Sequence, residues 1–368
     1  MSERMNFEQT VEALNDPLRP PHFLAMDQSG NKPGELGGTH FNHMKQFGVP
    51  IGDVEDLETK SQAARRMLAT TQGLGKYFGG AIVHDDLFAL TDTDGRPLQD
   101  RLRDSGVLVI GKKMGLDKET GLATGLGTLC ADMRDLVEKW NVHLIKTRTT
   151  ITYGKGHADD AADQMVQVQR KAAQNGKIIP VLEPEFDIKN PGSLAQNEDL
   201  MTQVLGRIVG EINREGLSSH PYGIKTSFPA PGKQSGEEIN PDKSAEAWMR
   251  ICERAEIPED LLVVFLSGGH SPENSRMLLQ AIAQRLKGTR RRIGSSFSRA
   301  NLERPYRETF RDGKTDVRAG QNAILLEGRK NALAMQGHYR PNLEKAKSDA
   351  EFSKMIFPRT WTGQGSES

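Results

Sequence analysis

The stretch VHLIKTR (142–148), HADDAADQMVQVQRKAAQN (157–175) and KIIPVLEPE (177–185) reads as strand, helix, strand. In the two outer runs apolar residues occupy both side-chain parities, and charged residues replace them at the C-terminal end. In the middle run apolar residues recur every three or four positions, and Gly176 stands where a helix takes a left-handed end residue. Strands apolar on both faces and joined by a helix pair in parallel, through right-handed crossovers. The same unit recurs in both directions: FLAMD (23–27), GGAIVHD (79–85) and GVLVIGKK (106–113) precede it, and YGIKTSF (222–228), LLVVFLSGG (261–269) and RIGSSFS (292–298) follow. Amphipathic stretches lie between them, such as 128–140, 197–216, 242–255 and 271–286, the last opened by Ser271. Eight units favour a closed (β/α)8 barrel over an open sheet, because closure leaves no strand edge exposed. The expectation is an α/β protein with one TIM-barrel domain over 1–368 and a barrel core at about 20–340. A further helix at 322–337 lies outside the barrel, and the tail 341–368 ends in a mobile TGQGSES.

Charge and composition narrow the classes. With 49 Lys+Arg against 49 Asp+Glu, the chain has no net field to select nucleic acid or an anionic membrane, so any basic site must be local. A mean hydropathy of −0.58 and the lack of an apolar run near 20 residues argue against a membrane span. The opening MSERMNFEQT has no apolar core of the kind a secretory signal carries, and only Cys130 and Cys252 are present. Both features suit a reducing, cytoplasmic location without a disulfide framework.

In such a barrel the active site gathers at the C-terminal strand ends. Strand one ends in Asp27, strand three in Lys112 and Lys113, strand four in Lys146 and Arg148, and strand five in Glu183 and Glu185. Strand six carries Lys225, strand seven ends in Ser267-Gly268-Gly269, and strand eight in Ser296, Ser298 and Arg299. Residues two apart on a strand face one way, so the Lys-x-Arg and Glu-x-Glu pairs each point together. Charges withdrawn from water must be compensated or engaged by a ligand. A lysine among cations in an apolar strand can lose its proton and attack a carbonyl, which makes Lys225 a candidate for Schiff-base chemistry; the bland reading is a strand-end lysine reaching for water. The paired glutamates suggest one proton-transfer group and one orienting group, or else a salt-bridge layer with Lys146 and Arg148. Segments 267–269 and 296–299 fall where barrels hold phosphate on backbone N–H groups and a helix N-terminus, with Arg299 as a bidentate cation.

Other motifs are weaker. No Walker A pattern occurs, and the glycines at 73, 75 and 79 precede a strand instead of following one. His22, His40 and His43 lack a third ligand at a metal-site spacing and read as solvated loop histidines. Arg290-Arg-Arg292 reads as a solvated face or a subunit contact.

Taken in order, FLAMDQSG, IKTR, PVLEPE, GIKTSFPAPG, FLSGGHS, SFSRA and ALAMQGHY resemble the class I fructose-bisphosphate aldolases, the metal-independent Schiff-base type, from about residue 20 to 340. The resemblance implies reversible cleavage of fructose 1,6-bisphosphate to dihydroxyacetone phosphate and glyceraldehyde 3-phosphate, with no metal and no cofactor. It implies that Lys225 forms the Schiff base, that Glu183 moves protons during imine formation, and that Glu185 holds Lys146 and Lys225 in place. Asp27 would take the C4 hydroxyl proton, and Lys146 would stabilise charge at the reacting carbons. Ser267, Gly268, Ser298 and Arg299 would bind the phosphate beside the ketone; Arg148, Ser29 and either Lys112 or Lys113 would serve the other. The last tyrosine is Tyr339, and the resemblance carries no tyrosine into catalysis. The implied assembly is a homo-oligomer, dimer or tetramer, acting on a small sugar phosphate, with no nucleic-acid or membrane partner. The alternatives are an aldolase of the same mechanism preferring sedoheptulose 1,7-bisphosphate or fructose 1-phosphate, a metal-dependent sugar-phosphate lyase or isomerase on a similar barrel, and a basic mouth that binds acidic partners.

Overall fold

The computed structural model describes residues 4–28, 35–346 and 348–356. Ser29 and the expected mobile end TGQGSES lie outside the described residues. Eight parallel strands form the barrel: β1 Phe23–Met26, β2 Gly80–His84, β3 Leu108–Lys112, β4 Leu144–Ile151, β5 Ile179–Phe186, β6 Gly223–Thr226, β7 Leu262–Leu266 and β8 Arg292–Ser296. Each lies on one of the runs read as strands, with β4 extending three residues past its run, to Ile151, and β5 one residue past, to Phe186; the expected TIM barrel is the fold observed.

The barrel closes at its seam through one parallel bridge, His22 to Ser295, with the Ser295 amide donating to the Pro21 carbonyl at 3.1 Å. Gly294 is required there: a Cβ on it would stand 1.6 Å from the Pro21 carbonyl oxygen. The interior is layered by the two-residue period. Phe23, Ile82, Leu108, Ile110, Leu144, Ile179, Val181, Leu262 and Val264 form one apolar cluster, while their alternates, such as Leu24, Ile145, Leu182, Ile224 and Phe265, pack outward against the helices. Above the inner apolar layer the same parity brings Lys112, Lys146, Glu183 and Lys225 to the C-terminal mouth.

Among the helices not read from the sequence are two short ones near the N-terminus. Helix α1 (Phe7–Asn15) opens with an Asn6–Gln9 capping box and packs Phe7, Val11 and Leu14 against the inner cluster. Phe7 stacks on His220 at 5.8 Å and meets His143 edge-on at 6.3 Å; both histidines precede strands, so α1 plugs the N-terminal end of the barrel. Helix α2 (Thr39–Gln46) follows β1 and packs His40 against Tyr306.

Beyond the barrel, the helix expected at 322–337 is Val317–Gln336. The segment 341–356, expected as tail, carries a short 3-10 turn (Pro341–Lys345) and a helix (Asp349–Ile356). Ion pairing accounts for this order: Glu344 meets Arg276, Lys330 Nζ at 2.8 Å and the Tyr339 hydroxyl at 2.7 Å. The arginine run is partly committed at the barrel base, Arg291 to the Ile257 carbonyl at 2.7 Å and Arg292 to that of Leu14 at 2.8 Å. No helix among the described residues is long and apolar enough to cross a membrane.

Candidate active site

A cavity of about 280 Å³ opens at the C-terminal mouth. Asp27, Lys112, Lys146, Arg148, Glu183, Glu185, Lys225, Ser267, Gly268, Ser298 and Arg299 all line it, so every described candidate meets in one place. Strand parity explains the convergence. Lys112 and Lys146 are register partners across β3 and β4, and Lys225 faces inward between Ile224 and Thr226. Lys112 lines the cavity, whereas Lys113, of opposite parity, pairs with Asp85 at 2.7 Å.

The centre is a chain of charges. Lys146 Nζ lies 2.8 Å from Asp27 Oδ2 and 2.6 Å from Glu183 Oε2, and Glu183 Oε1 lies 2.9 Å from Lys225 Nζ. The Lys146, Glu183 and Lys225 side chains are each at most 4% exposed. Lys112 reaches Asp27 from the other side, 3.8 Å from its carboxylate and 3.2 Å from its carbonyl. The expectation that Glu185 would hold Lys146 and Lys225 is corrected. Glu183 bridges the two lysines, and Glu185 pairs with Arg148 at 3.2 Å, because it sits one residue pair nearer the open rim.

Electrostatics separate the carboxyls. Burial opposes ionisation of Asp27, but Lys146, Lys225 and Lys112 overcome it and hold the group well below the usual carboxylate range. Glu183 is also lowered: burial is outweighed by Lys146, Lys225 and Arg148. Burial pushes Glu185 up, against the pull of Arg148. For Lys146, burial is overcome by Asp27 and Glu183, so its pKa is raised; Lys112, with more burial than compensation, is pushed down to about 8. Among the described residues, five cations and three carboxylates line the cavity, an excess of positive charge fit for an anionic ligand.

One side has the features of an anion pocket. Gly268 and Gly269 are both left-handed, at φ +52° and +84°, and turn the chain back after β7. The helix Arg299–Thr309 starts beside Ser298, so its positive end faces the same side. The Ser298 hydroxyl accepts from Gln28 Nε2 at 2.9 Å, and Arg299 is steadied by Glu303 at 3.0 Å.

Ser296, read at the end of strand eight, also lines the cavity; sequence reading gave no site role to Gln28, Thr39, His43 and Gln46, which line it too. Ser296 was visible in the parity of β8, and Thr39, His43 and Gln46 share one helical face at spacings of four and three. The solvated-histidine reading is corrected: His40 is buried, with Nε2 3.3 Å from the Tyr306 hydroxyl; His22 is buried, with Nδ1 2.9 Å from Ser295 Oγ; and His43 lines the cavity. Tyr339 is buried outside the barrel, its hydroxyl donating to Glu344.

A family model described as fructose-bisphosphate aldolase class-I matches residues 42–357. The chain belongs to the class-I fructose-bisphosphate aldolase family. Relatives include fructose-bisphosphate aldolase 1, chloroplastic, of Pisum sativum, 24% identical over 93% of this chain and 94% of the relative. Another is the fructose-bisphosphate aldolase of Encephalitozoon cuniculi, 26% identical over 74% of this chain and 82% of its own. A third, the cytosolic aldolase 4 of Arabidopsis thaliana, is 24% identical over 81% of this chain and 78% of the relative. The solved fructose-bisphosphate aldolase of Plasmodium falciparum, in complex with TRAP and a small-molecule inhibitor, superposes with a TM-score of 0.79 at 21% identity, covering 91% of this chain and 96% of that one; it shares the fold. Membership in the aldolase family supports a lyase acting on a sugar phosphate.

Proposed function

We propose that the protein is a class I aldolase that reversibly cleaves fructose 1,6-bisphosphate to dihydroxyacetone phosphate and glyceraldehyde 3-phosphate through a Schiff base on Lys225. The observation that carries this reading is the buried Lys225 Nζ, 2.9 Å from a carboxylate shared with Lys146, inside a positive cavity.

The Lys225 amine, its proton passed to Glu183, attacks the C2 carbonyl, and Glu183 returns the proton that lets the carbinolamine lose water. The resulting iminium withdraws electrons from C3. Asp27, held ionised by its lysines, accepts the C4 hydroxyl proton as the C3–C4 bond breaks. The C4 fragment leaves as the aldehyde, and the released pair forms an enamine with the Lys225 nitrogen. Lys146, between Asp27 and Glu183, stabilises charge as it shifts among these groups. Protonation at C3 and addition of water then return the amine and release dihydroxyacetone phosphate. The ketone-side phosphate fits Ser267, Gly268, Ser298 and Arg299 with the helix end beside them; Lys112, Arg148 and Ser29 serve the far phosphate. This chemistry calls for no metal and no cofactor, and we place it in the cytoplasm as a dimer or tetramer, which light scattering tests.

Borohydride reduction in the presence of dihydroxyacetone phosphate, followed by peptide mass mapping, tests the mechanism. Label is expected on the peptide holding Lys225, and Lys225→Met should abolish labelling and turnover while keeping the thermal transition. Label elsewhere, or activity lost on chelation, refutes it. Relative turnover on sedoheptulose 1,7-bisphosphate and fructose 1-phosphate decides between ketoses.

A further inference from the structure

Resting on that reading, we infer that His43 is a specificity-determining residue, donating a hydrogen bond to the phosphate at the far, aldehyde-forming end of the substrate. The ketone-side phosphate has its own surroundings on β7 and β8. The far phosphate must therefore lie past Lys225 and Asp27, toward the β3 and β4 ends. His43 stands on that side, half-buried on the inward face of α2, where it feels the charges of both Asp27 and Arg148.

Each cation that serves that phosphate also holds a carboxylate, which leaves room for a further donor. Lys112 and Lys146 hold Asp27, and Arg148 holds Glu185. The His43 Nδ1 is enclosed and has no hydrogen-bond partner among the described residues. Its ring is steadied instead by Phe47, with centroids 5.6 Å apart. Burial, reinforced by Arg148 and opposed by Asp27, lowers the imidazole from its ordinary value, so near neutral pH it offers one N–H without adding a fixed charge. An enclosed polar atom without a partner is costly, and a phosphate oxygen would relieve it. Such a donor favours substrates with a phosphate at both ends over a ketose carrying only the ketone-side one.

The test is the ratio of kcat/KM on fructose 1,6-bisphosphate to that on fructose 1-phosphate. His43→Ala should lower this ratio at least tenfold, the change arising in KM for the bisphosphate, as expected for a lost hydrogen bond to a charged group. His43→Lys, which restores a donor and adds charge, should hold the ratio at or above wild type. Thermal unfolding confirms that both variants fold. A ratio within twofold of wild type in His43→Ala, an equal loss on both sugars, or a fall in His43→Lys matching that in His43→Ala overturns the inference. Dihydroxyacetone phosphate lacks the far phosphate, so borohydride trapping of the wild type at Lys225 tests the aldolase reading separately. Failed trapping sinks that reading, while successful trapping with an unmoved ratio sinks only the role of His43.

Discussion

Replacing Lys146, whose side chain is 2% exposed, with methionine removes the ammonium lying 2.8 Å from Asp27 and 2.6 Å from Glu183. Both carboxylates then share an enclosed space with only Lys225, 2.9 Å from Glu183, and Lys112, 3.8 Å from Asp27. Breaking a buried ion pair costs about 3–5 kcal/mol, and the two remaining lysines place this case near the lower end, about 3 kcal/mol. With an unfolding entropy of about 2.1 cal/mol/K per residue, that lowers Tm by about 4 °C at pH 7. The pH dependence has a definite sign. Asp27 and Glu183 are lowered in the folded protein, so the stability they contribute is present above the ordinary carboxylate range and lost as pH falls through their folded values. Without Lys146 they take up protons at higher pH, so the Tm gap between variant and wild type should narrow as pH falls into the ordinary carboxylate range, about pH 4. Turnover on fructose 1,6-bisphosphate should fall about 100- to 1,000-fold, as when a preorganised charge is lost from a transition state. Calorimetry at pH 7 and pH 4, with coupled-enzyme turnover, reads both effects. An unchanged Tm at pH 7, a gap of equal size at both pH values, or turnover within tenfold of wild type would refute the argument.

Gly294→Ala places a methyl group against the Pro21 carbonyl at the barrel seam and should destabilise by about 3 kcal/mol, read as a drop in Tm; an unchanged Tm would show that the seam yields freely. At Glu344, burial is outweighed by Arg276 and Lys330, which lower it to about 2. Its contribution, on the order of 3 kcal/mol, is therefore present above the ordinary carboxylate range and lost as pH falls from there toward 2. Glu344→Gln should be less stable than wild type at pH 7 and lose less stability on acidification over that interval, and parallel Tm-against-pH curves would count against it.

Much of the site was legible because strand parity is rigid. Once VHLIKTR and KIIPVLEPE are parallel neighbours, Lys146 with Arg148 and Glu183 with Glu185 face one side, and β4 and β5 place them there. The same parity selects Lys112 over Lys113, since Leu108 and Ile110 fill the interior below it. Helices α1 and α2 were not legible. Each is short, and its role depends on what it covers: α1 stabilises by plugging the barrel base with Phe7 and Leu14, and α2 by presenting His43 while burying His40.

The sequence by itself determined the eight strands, the closed parallel barrel and the set of charged residues at its mouth, because apolar periodicity and the two-residue alternation are local properties. Only the tertiary structure decided which carboxylate serves which cation. Glu183 and Glu185 are identical in type and parity, and their partners differ because one lies a strand layer deeper, within reach of Lys146 and Lys225, while the other meets Arg148 at the rim. Depth along a strand and reach across a closed barrel are set by the stagger of neighbouring strands, a property of the assembled sheet and of no single segment.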